Sequence, residues 1–343
     1  MAQERPATGT RATFPTVALP VVLDSDGGID DAAALWWACV SPDVDVVAVT
    51  AVAGNVGVEQ AAANLAAVLA AAGHGHVPVA VGADAPIGPT PMRRSGPAHG
   101  ADGLGGAAPA PPASSIGSES ARALLGRLVA ERPGALTVVA TGPLSNLALV
   151  LRDDPSWAAQ VGDLVVMGGS VRAGGNAGPA AETNMAHDPA AAAEVVAAGW
   201  SRPPLLVGLD VTLQATLSRA ELELVDRRLT PAAVFLASPL AFYRSTGSAT
   251  CAPGECPCHD LVACMAAVDP ALVSGPVLTL AVDTGQGAAW GATVVDLREL
   301  AEGREAGGTS AAGTAGLVGS RWRVGLEVDV GRFRAAVRKL FGE

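Results

Sequence analysis

The stretch from Thr16 to Leu35, TVALPVVLDSDGGIDDAAAL, restricts the possible folds of this chain more than any other. An apolar, β-branched run from Val17 to Leu23 breaks at Gly27-Gly28 and gives way to an Ala-rich run from Ala32 to Ala38, the pattern of a strand, a tight turn and a helix. The turn carries four carboxylates, Asp24, Asp26, Asp30 and Asp31, separated only by small or apolar residues. Like charges at the carboxyl end of a buried strand repel one another unless a cation or hydrogen-bond donors neutralise them. Oxygen-only ligands point to a hard cation, Ca²⁺ or Mg²⁺. Acids at an N-cap and in a first helical turn are ordinarily capping groups, but capping uses one or two of them, not four.

Composition narrows the class. A length of 343 residues suits one large parallel α/β unit, and half the residues are apolar, enough for a sizeable core. A formal net charge of -11 argues against a nucleic-acid backbone or an anionic membrane as partner, and lysine occurs once, at Lys339. Residues 1–15 are mixed polar and charged, without the apolar centre of a signal peptide, and no run approaches the ~18 apolar residues of a membrane span. The expectation is a disordered tail over 1–15 and one domain over 16–343, in the cytoplasm. Five cysteines in a chain this long do not suggest a disulfide framework.

Strand-like and helix-like runs alternate along the chain. Val44 to Ala53 reads as a strand ending at Gly54-Asn55, and Val58 to Ala72 as a helix. Val77 to Val81 is a short strand, followed by a Gly- and Pro-rich segment from Ala83 to Ser118 that reads as a lid or wall of a site. The helix Glu119 to Glu131, the strand Leu136 to Thr141 and a helix from Leu144 to Leu151 come next, then the strand Leu164 to Met167 and a polar loop, Arg172 to Asn184. Asp188-Pro189 opens an Ala-rich helix, Leu205 to Val211 reads as a strand, and Arg219 to Leu229, Pro231 to Tyr243 and His259 to Val268 as helices. The last third, Val277 to Val295 and Trp322 to Val330, is β-rich, and Gly331 to Phe341 closes the chain as a helix. This alternation predicts a single α/β domain with a mostly parallel central sheet and helices on both faces, whose ligands sit at the carboxyl ends of the strands. Those ends carry the Asp cluster, Gly54-Asn55, Thr141-Gly142-Pro143 and Met167-Gly168-Gly169, with no phosphate-binding loop of the GxxxxGK type. Carboxylates, amides and one imidazole suit recognition of a polyhydroxylated ligand beside a cation.

VVLDSDGGIDDAAAL, Gly54-Asn55, TGPLSNLA at 141–148, VVMGGS at 165–170, the loop holding Asn176, Glu182 and Asn184, Asp188-Pro189, CHDLVA at 258–263 and the closing LEVDVGRFRAAV together resemble the successive motifs of the inosine–uridine-preferring nucleoside hydrolases. The resemblance runs from about residue 20 to the C-terminus. It implies the Rossmann-like fold of that family and hydrolysis of the N-glycosidic bond of a ribonucleoside by water activated on a tightly held Ca²⁺. Position by position, it implies that Asp26, Asp31, the Thr141 carbonyl and Asp260 hold calcium, with Asp26 also the general base. It further implies that Asp30, Asn55, Met167, Asn176, Glu182 and Asn184 bind substrate, that His259 assists the leaving base, and that the protein is a homodimer or homotetramer.

Bond breaking builds positive charge on the ribose, which flanking carboxylates stabilise, and imidazole titrates in the range useful to a leaving base. Direct attack by water predicts inversion at C1′. Asp24 is expected to orient the site from behind, His99, in the HGADGLGG loop, is a candidate for reaching substrate on closure, and Tyr243 for stacking on or hydrogen-bonding the base. Thr183 stands where the family has an aromatic or apolar residue, and TCAPGECPC replaces an apolar segment before His259. The spacing of Cys251, Cys256 and Cys258 fits no standard zinc pattern. Two other classes compete: an Asp-nucleophile phosphohydrolase, whose required later lysine could here only be Lys339, far off in the terminal helix, and a catalytically inactive nucleoside- or ribose-binding protein of the same fold.

Overall fold

The fold is seen in a computed structural model that describes residues 18–89, 97–109, 116–246, 254–298 and 319–342. The N-terminal tail and Cys251 lie outside the described residues, as do parts of the Gly/Pro-rich segment.

The first strand, β1 (Leu19–Ser25), runs into helix α1 (Ile29–Val40), and the β-then-α alternation continues through β2 (Val44–Ala51), α2 (Val58–Ala71) and β3 (Val79–Val81). After the Gly/Pro-rich segment come α3 (Ala121–Glu131), β4 (Thr137–Ala140), α4 (Ser145–Asp153), α5 (Trp157–Gln160) and β5 (Asp163–Met167). Then follow α6 (Thr183–His187), α7 (Pro189–Ala197), β6 (Leu205–Val207), α8 (Leu209–Thr212), α9 (Arg219–Arg227), α10 (Pro231–Thr246) and α11 (His259–Val268). The chain ends in β7 (Val273–Ser274), β8 (Val277–Val282), β9 (Thr293–Val295), β10 (Ser320–Val324), β11 (Glu327–Val328) and α12 (Val330–Phe341).

A 9-stranded sheet has the order β3-β2-β1-β4-β5-β6-β10-β8-β9. Pairings from β3 through β10 are parallel, and only β10–β8 and β8–β9 are antiparallel. The chain steps from β1 outward to β2 and β3, then returns to the other side of β1 to lay down β4, β5 and β6. This reversal leaves a crevice at the carboxyl ends of β1 and β4, the usual ligand position in open α/β sheets.

Side chains of alternate strand residues point to opposite faces, so one strand feeds two cores. Val21 and Leu23 of β1 join a cluster with Ala33, Leu35, Leu65, Leu261 and Phe333, whereas Val22 joins Leu125, Leu147, Trp157 and Trp322 on the other face. Burial on both faces is why the central strands read as continuous apolar runs rather than alternating ones.

Three local readings are corrected. Residues 209–211, taken as the end of a strand, form α8 instead: a Cβ on Gly208 would stand 2.7 Å from the Gly169 carbonyl, so the chain turns where it meets that loop. Asp210 then accepts the backbone N–H groups of Val171, Arg172 and Ala173, ties only a turned chain provides. The polar loop Arg172 to Asn184 contains the start of α6, which Glu182 caps by accepting the N–H groups of Asn184 and Met185. Pro231 to Tyr243 extends to Thr246 despite Pro239 in its interior.

Candidate functional site

The turn after β1 is built around Gly27, whose φ of +69° lies in the left-handed region and whose Cβ position is already taken by Ala61 Cα at 2.7 Å. Only glycine fits there without strain. Asp24 comes from the strand, Asp26 from the turn just after it, and Asp30 and Asp31 from the first turn of α1; from much later in the sequence, the first turn of α11 delivers Asp260. All five carboxylates are buried, each at most 4 % exposed. The positive ends of two helix dipoles face the cluster, which offsets part of the cost.

Asp26 is held by Asn55 through two bonds, the backbone N–H to Oδ2 at 2.8 Å and the side-chain amide to Oδ1 at 2.9 Å. Asp31 has two jobs. Its Oδ2 accepts the Gly28 N–H at 2.8 Å, the capping role expected of an acid in a first turn, while its Oδ1 accepts the Ser25 and Thr141 hydroxyls at 2.6 and 2.7 Å. Asp24 lies behind them. Its Oδ1 accepts the Thr50 hydroxyl at 2.5 Å and the Asn146 amide at 2.7 Å, and its buried Oδ2 has no partner among the described residues.

Burial raises the pKa of Asp24 and of Asp30 to about 6, and lifts Asp26 and Asp260 well above the usual carboxylate range with further contributions from neighbouring carboxylates. The donors the protein supplies do not compensate so much buried negative charge. One oxygen each from Asp30, Asp31 and Asp260 lies within 4.8 Å of the others, close enough to hold one ion. An all-oxygen, buried, under-compensated set fits a hard cation and would suit a soft one poorly. The trio includes Asp30, which the resemblance assigns to ribose, and does not include Asp26.

The other expected residues fall into two groups. Asn184 and Glu182 join the crevice: the Asn184 amide donates to the Thr141 carbonyl at 2.9 Å and to the Met167 carbonyl at 3.2 Å, and Glu182 accepts the Gly169 N–H at 3.0 Å. Burial lifts the Glu182 carboxyl to about 6. Asn176 is exposed instead, and its amide oxygen accepts the Thr183 backbone N–H and hydroxyl, both at 2.9 Å.

His99, from a short 3₁₀ helix over residues 97–99, does reach the site. Its Nδ1 accepts the Ile29 N–H at 3.0 Å, lies 3.9 Å from Asp30 Oδ1, and its ring packs on Tyr243 at 4.9 Å between centroids. Burial lowers its pKa to about 4, so at neutral pH it supplies no positive charge to the acids. His259, adjacent to Asp260, places Nδ1 2.7 Å from the Thr212 hydroxyl.

Four polar residues of the site escape sequence reasoning. Ser25, Thr50, Thr212 and Asn146 are ordinary in type, and only their complete burial beside the acids marks them. Asn146 was visible within TGPLSNLA, but nothing in that string says that its amide also donates to the Ala51 carbonyl and accepts the Ala83 N–H.

Residues 21–335 match the model of the inosine-uridine preferring nucleoside hydrolases. The chain is 33% identical over 277 residues to a probable uridine nucleosidase of Oryza sativa, covering 80% of this chain and 84% of that protein. It is 34% identical over 284 residues to a pyrimidine-specific ribonucleoside hydrolase of Photobacterium profundum, covering 82% of this chain and 90% of the relative. Among solved structures, a plant nucleoside hydrolase superposes with a TM-score of 0.85 at 30% identity, over 95% of this chain and 100% of that one. A purine-preferring ribonucleoside hydrolase from Gardnerella vaginalis gives 0.81 at 31%, over 94% and 98%. With this match across nearly its whole length, the chain belongs to the inosine-uridine preferring nucleoside hydrolase family, hydrolases that act on the N-glycosyl bonds of nucleosides.

Proposed function

We propose that this protein hydrolyses ribonucleosides to free base and ribose with calcium as its metal. The observation that carries this reading is the buried convergence of Asp26, Asp30, Asp31 and Asp260 at the carboxyl ends of β1 and β4. In this reading Asp26, Asp31, the Thr141 carbonyl and Asp260 hold the ion, with Asp30 close enough to share it. A bound calcium ion supplies a lowered pKa to a water molecule in its shell.

The remaining work belongs to the chain. Asp26, fixed by its two bonds to Asn55, takes the proton of the attacking water as the oxygen bonds C1′. The C1′–N bond breaks with its electron pair leaving on the base. Asp30, Glu182, Asn184 and Asn55 hold ribose hydroxyls, and the carboxylates stabilise the positive charge that develops on the sugar. His259 donates a hydrogen bond to the departing base. Met167 lines the crevice under the ribose, and Asn176 reaches the substrate only if its loop closes. His99 and Tyr243 form the wall on the base side.

The test is ribose release from inosine, adenosine, guanosine, uridine and cytidine, measured as reducing sugar after chelation and again after calcium is restored. Calcium-dependent release that falls by at least ~10²-fold in Asp26→Asn is expected, the scale of a lost general base. Full turnover in chelator, or no release from all five with calcium bound, would refute the proposal.

A further inference from the structure

We infer that Thr212 is a positioning residue for the leaving-group side of the reaction: its hydroxyl fixes the tautomer and orientation of His259 so that the ring presents Nε2–H to the departing base. The inference rests on the reading of His259 given above.

The argument begins with where Thr212 is held. It is the last residue of α8, a short helix packed against α11, and its backbone N–H donates to the Gly208 carbonyl at 3.1 Å. Its side chain is completely buried, at 0 % exposure, and Oγ1 is 2.7 Å from His259 Nδ1. Among the described residues this is the only hydrogen bond either side chain makes.

Satisfying the buried groups decides the tautomer. A hydroxyl carries one proton, and a neutral imidazole has one donor and one acceptor nitrogen. If Nδ1 carried the ring proton, the hydroxyl would accept it and its own O–H would be buried with no acceptor, at a cost of ~1–3 kcal/mol. If Nδ1 is bare, the hydroxyl donates to it and the buried O–H is satisfied. The ring proton then sits on Nε2, which has no partner among the described residues and belongs to a residue that is 8 % exposed. The ring contributes a hydrogen bond to the base as the C1′–N electron pair moves onto it, and no bond to the ring forms or breaks.

The role separates from a merely structural one by choice of leaving group. A nucleobase is a poor leaving group that needs a donor, whereas 4-nitrophenolate departs without one. Kinetics on uridine, inosine and 4-nitrophenyl β-D-ribofuranoside, for wild type, Thr212→Val and Thr212→Ser, form the test. Thr212→Val keeps the shape of the side chain and removes the hydroxyl. It is expected to lower kcat on the nucleosides by about 10- to 100-fold with KM little changed, while turnover of the nitrophenyl riboside stays within about 2-fold of wild type. Thr212→Ser, which keeps the hydroxyl, should recover most of the nucleoside activity. Equal loss on both substrate types, no loss on either, or failure of the serine variant to recover would overturn the inference. Wild-type protein that cleaves neither the nitrophenyl riboside nor any of the five nucleosides overturns the hydrolase reading itself, and this inference with it, before any variant is compared.

Discussion

Replacing Gly54 by alanine tests whether the geometry around Asp26 is what the chemistry depends on. An added Cβ at Gly54 would lie 2.1 Å from Asp26 Oδ2 and 2.9 Å from its Cβ and Cγ. An ordinary carbon–oxygen contact needs more than 3 Å, so the carboxylate must retreat by about 1 Å, a displacement that costs on the order of 10²-fold when a reacting group is misplaced. The same move stretches the 2.8 Å bond from the Asn55 N–H to Oδ2, the tie that aims Asp26. Overpacking of this kind destabilises by ~1–3 kcal/mol, a drop of a few degrees in Tm that leaves the protein folded at assay temperature. The measurement is kcat on the best nucleoside substrate with calcium saturating, beside a melting curve. Gly57→Ala is the control, because a Cβ there meets nothing within 4 Å. A Gly54→Ala protein with wild-type kcat would show that Asp26 tolerates displacement and does not act from the observed position.

Three further outcomes follow from the same structure. Calcium at 1,000 times its Kd should stabilise the chelated protein by ~4 kcal/mol, visible as a rise in Tm; no rise with calcium would refute the cation assignment. Asn146→Ala removes the bonds to Asp24, Ala51 and Ala83 at 2.7, 3.0 and 2.8 Å and should cost ~3 kcal/mol in denaturant unfolding, so a loss below ~1 kcal/mol would refute its clamping role. Glu182 titrates near 6 in the folded chain against 4.5 ordinarily, so the unfolded chain releases this proton first as pH rises. Stability present below pH 4.5 is therefore lost through pH 6, by ~2 kcal/mol, and Glu182→Gln should flatten that part of the stability profile; an unchanged slope would refute the assignment.

The fold was legible because burial on both faces of a parallel sheet writes long apolar runs between Gly and Asp punctuation, as at Val21–Leu23 and Val138–Ala140. Asp24, Asp26, Asp30 and Asp31 were legible as a site because their density exceeds what capping needs. Asp31 nonetheless caps its helix while facing the cluster, so the two readings of that acid were never exclusive. Illegible were the neutral partners. Thr50 and Asn146 reach Asp24 from separate elements, and Thr212 meets His259 through a helix that read as strand because LLVGLDV is apolar enough for either. Position in space, not residue type, gives such groups their role. Asn176 shows the converse: its type and place in the loop suit a sugar contact, yet its side chain is spent on the start of α6.

The convergence of α1 and α11 has a consequence for how the molecule is made. Asp30 and Asp31 leave the ribosome early and Asp260 late, so the cation-binding group stays incomplete until three quarters of the chain has been synthesised and α11 has docked beside α1. Loop-closure entropy must be met before the contacts reward it. A truncated or half-assembled chain carries the acids without the means to compensate them. Cation capture would thus be a late event, following the docking of α11 on α1 on one face of the sheet and tying an early segment of the sequence to a late one.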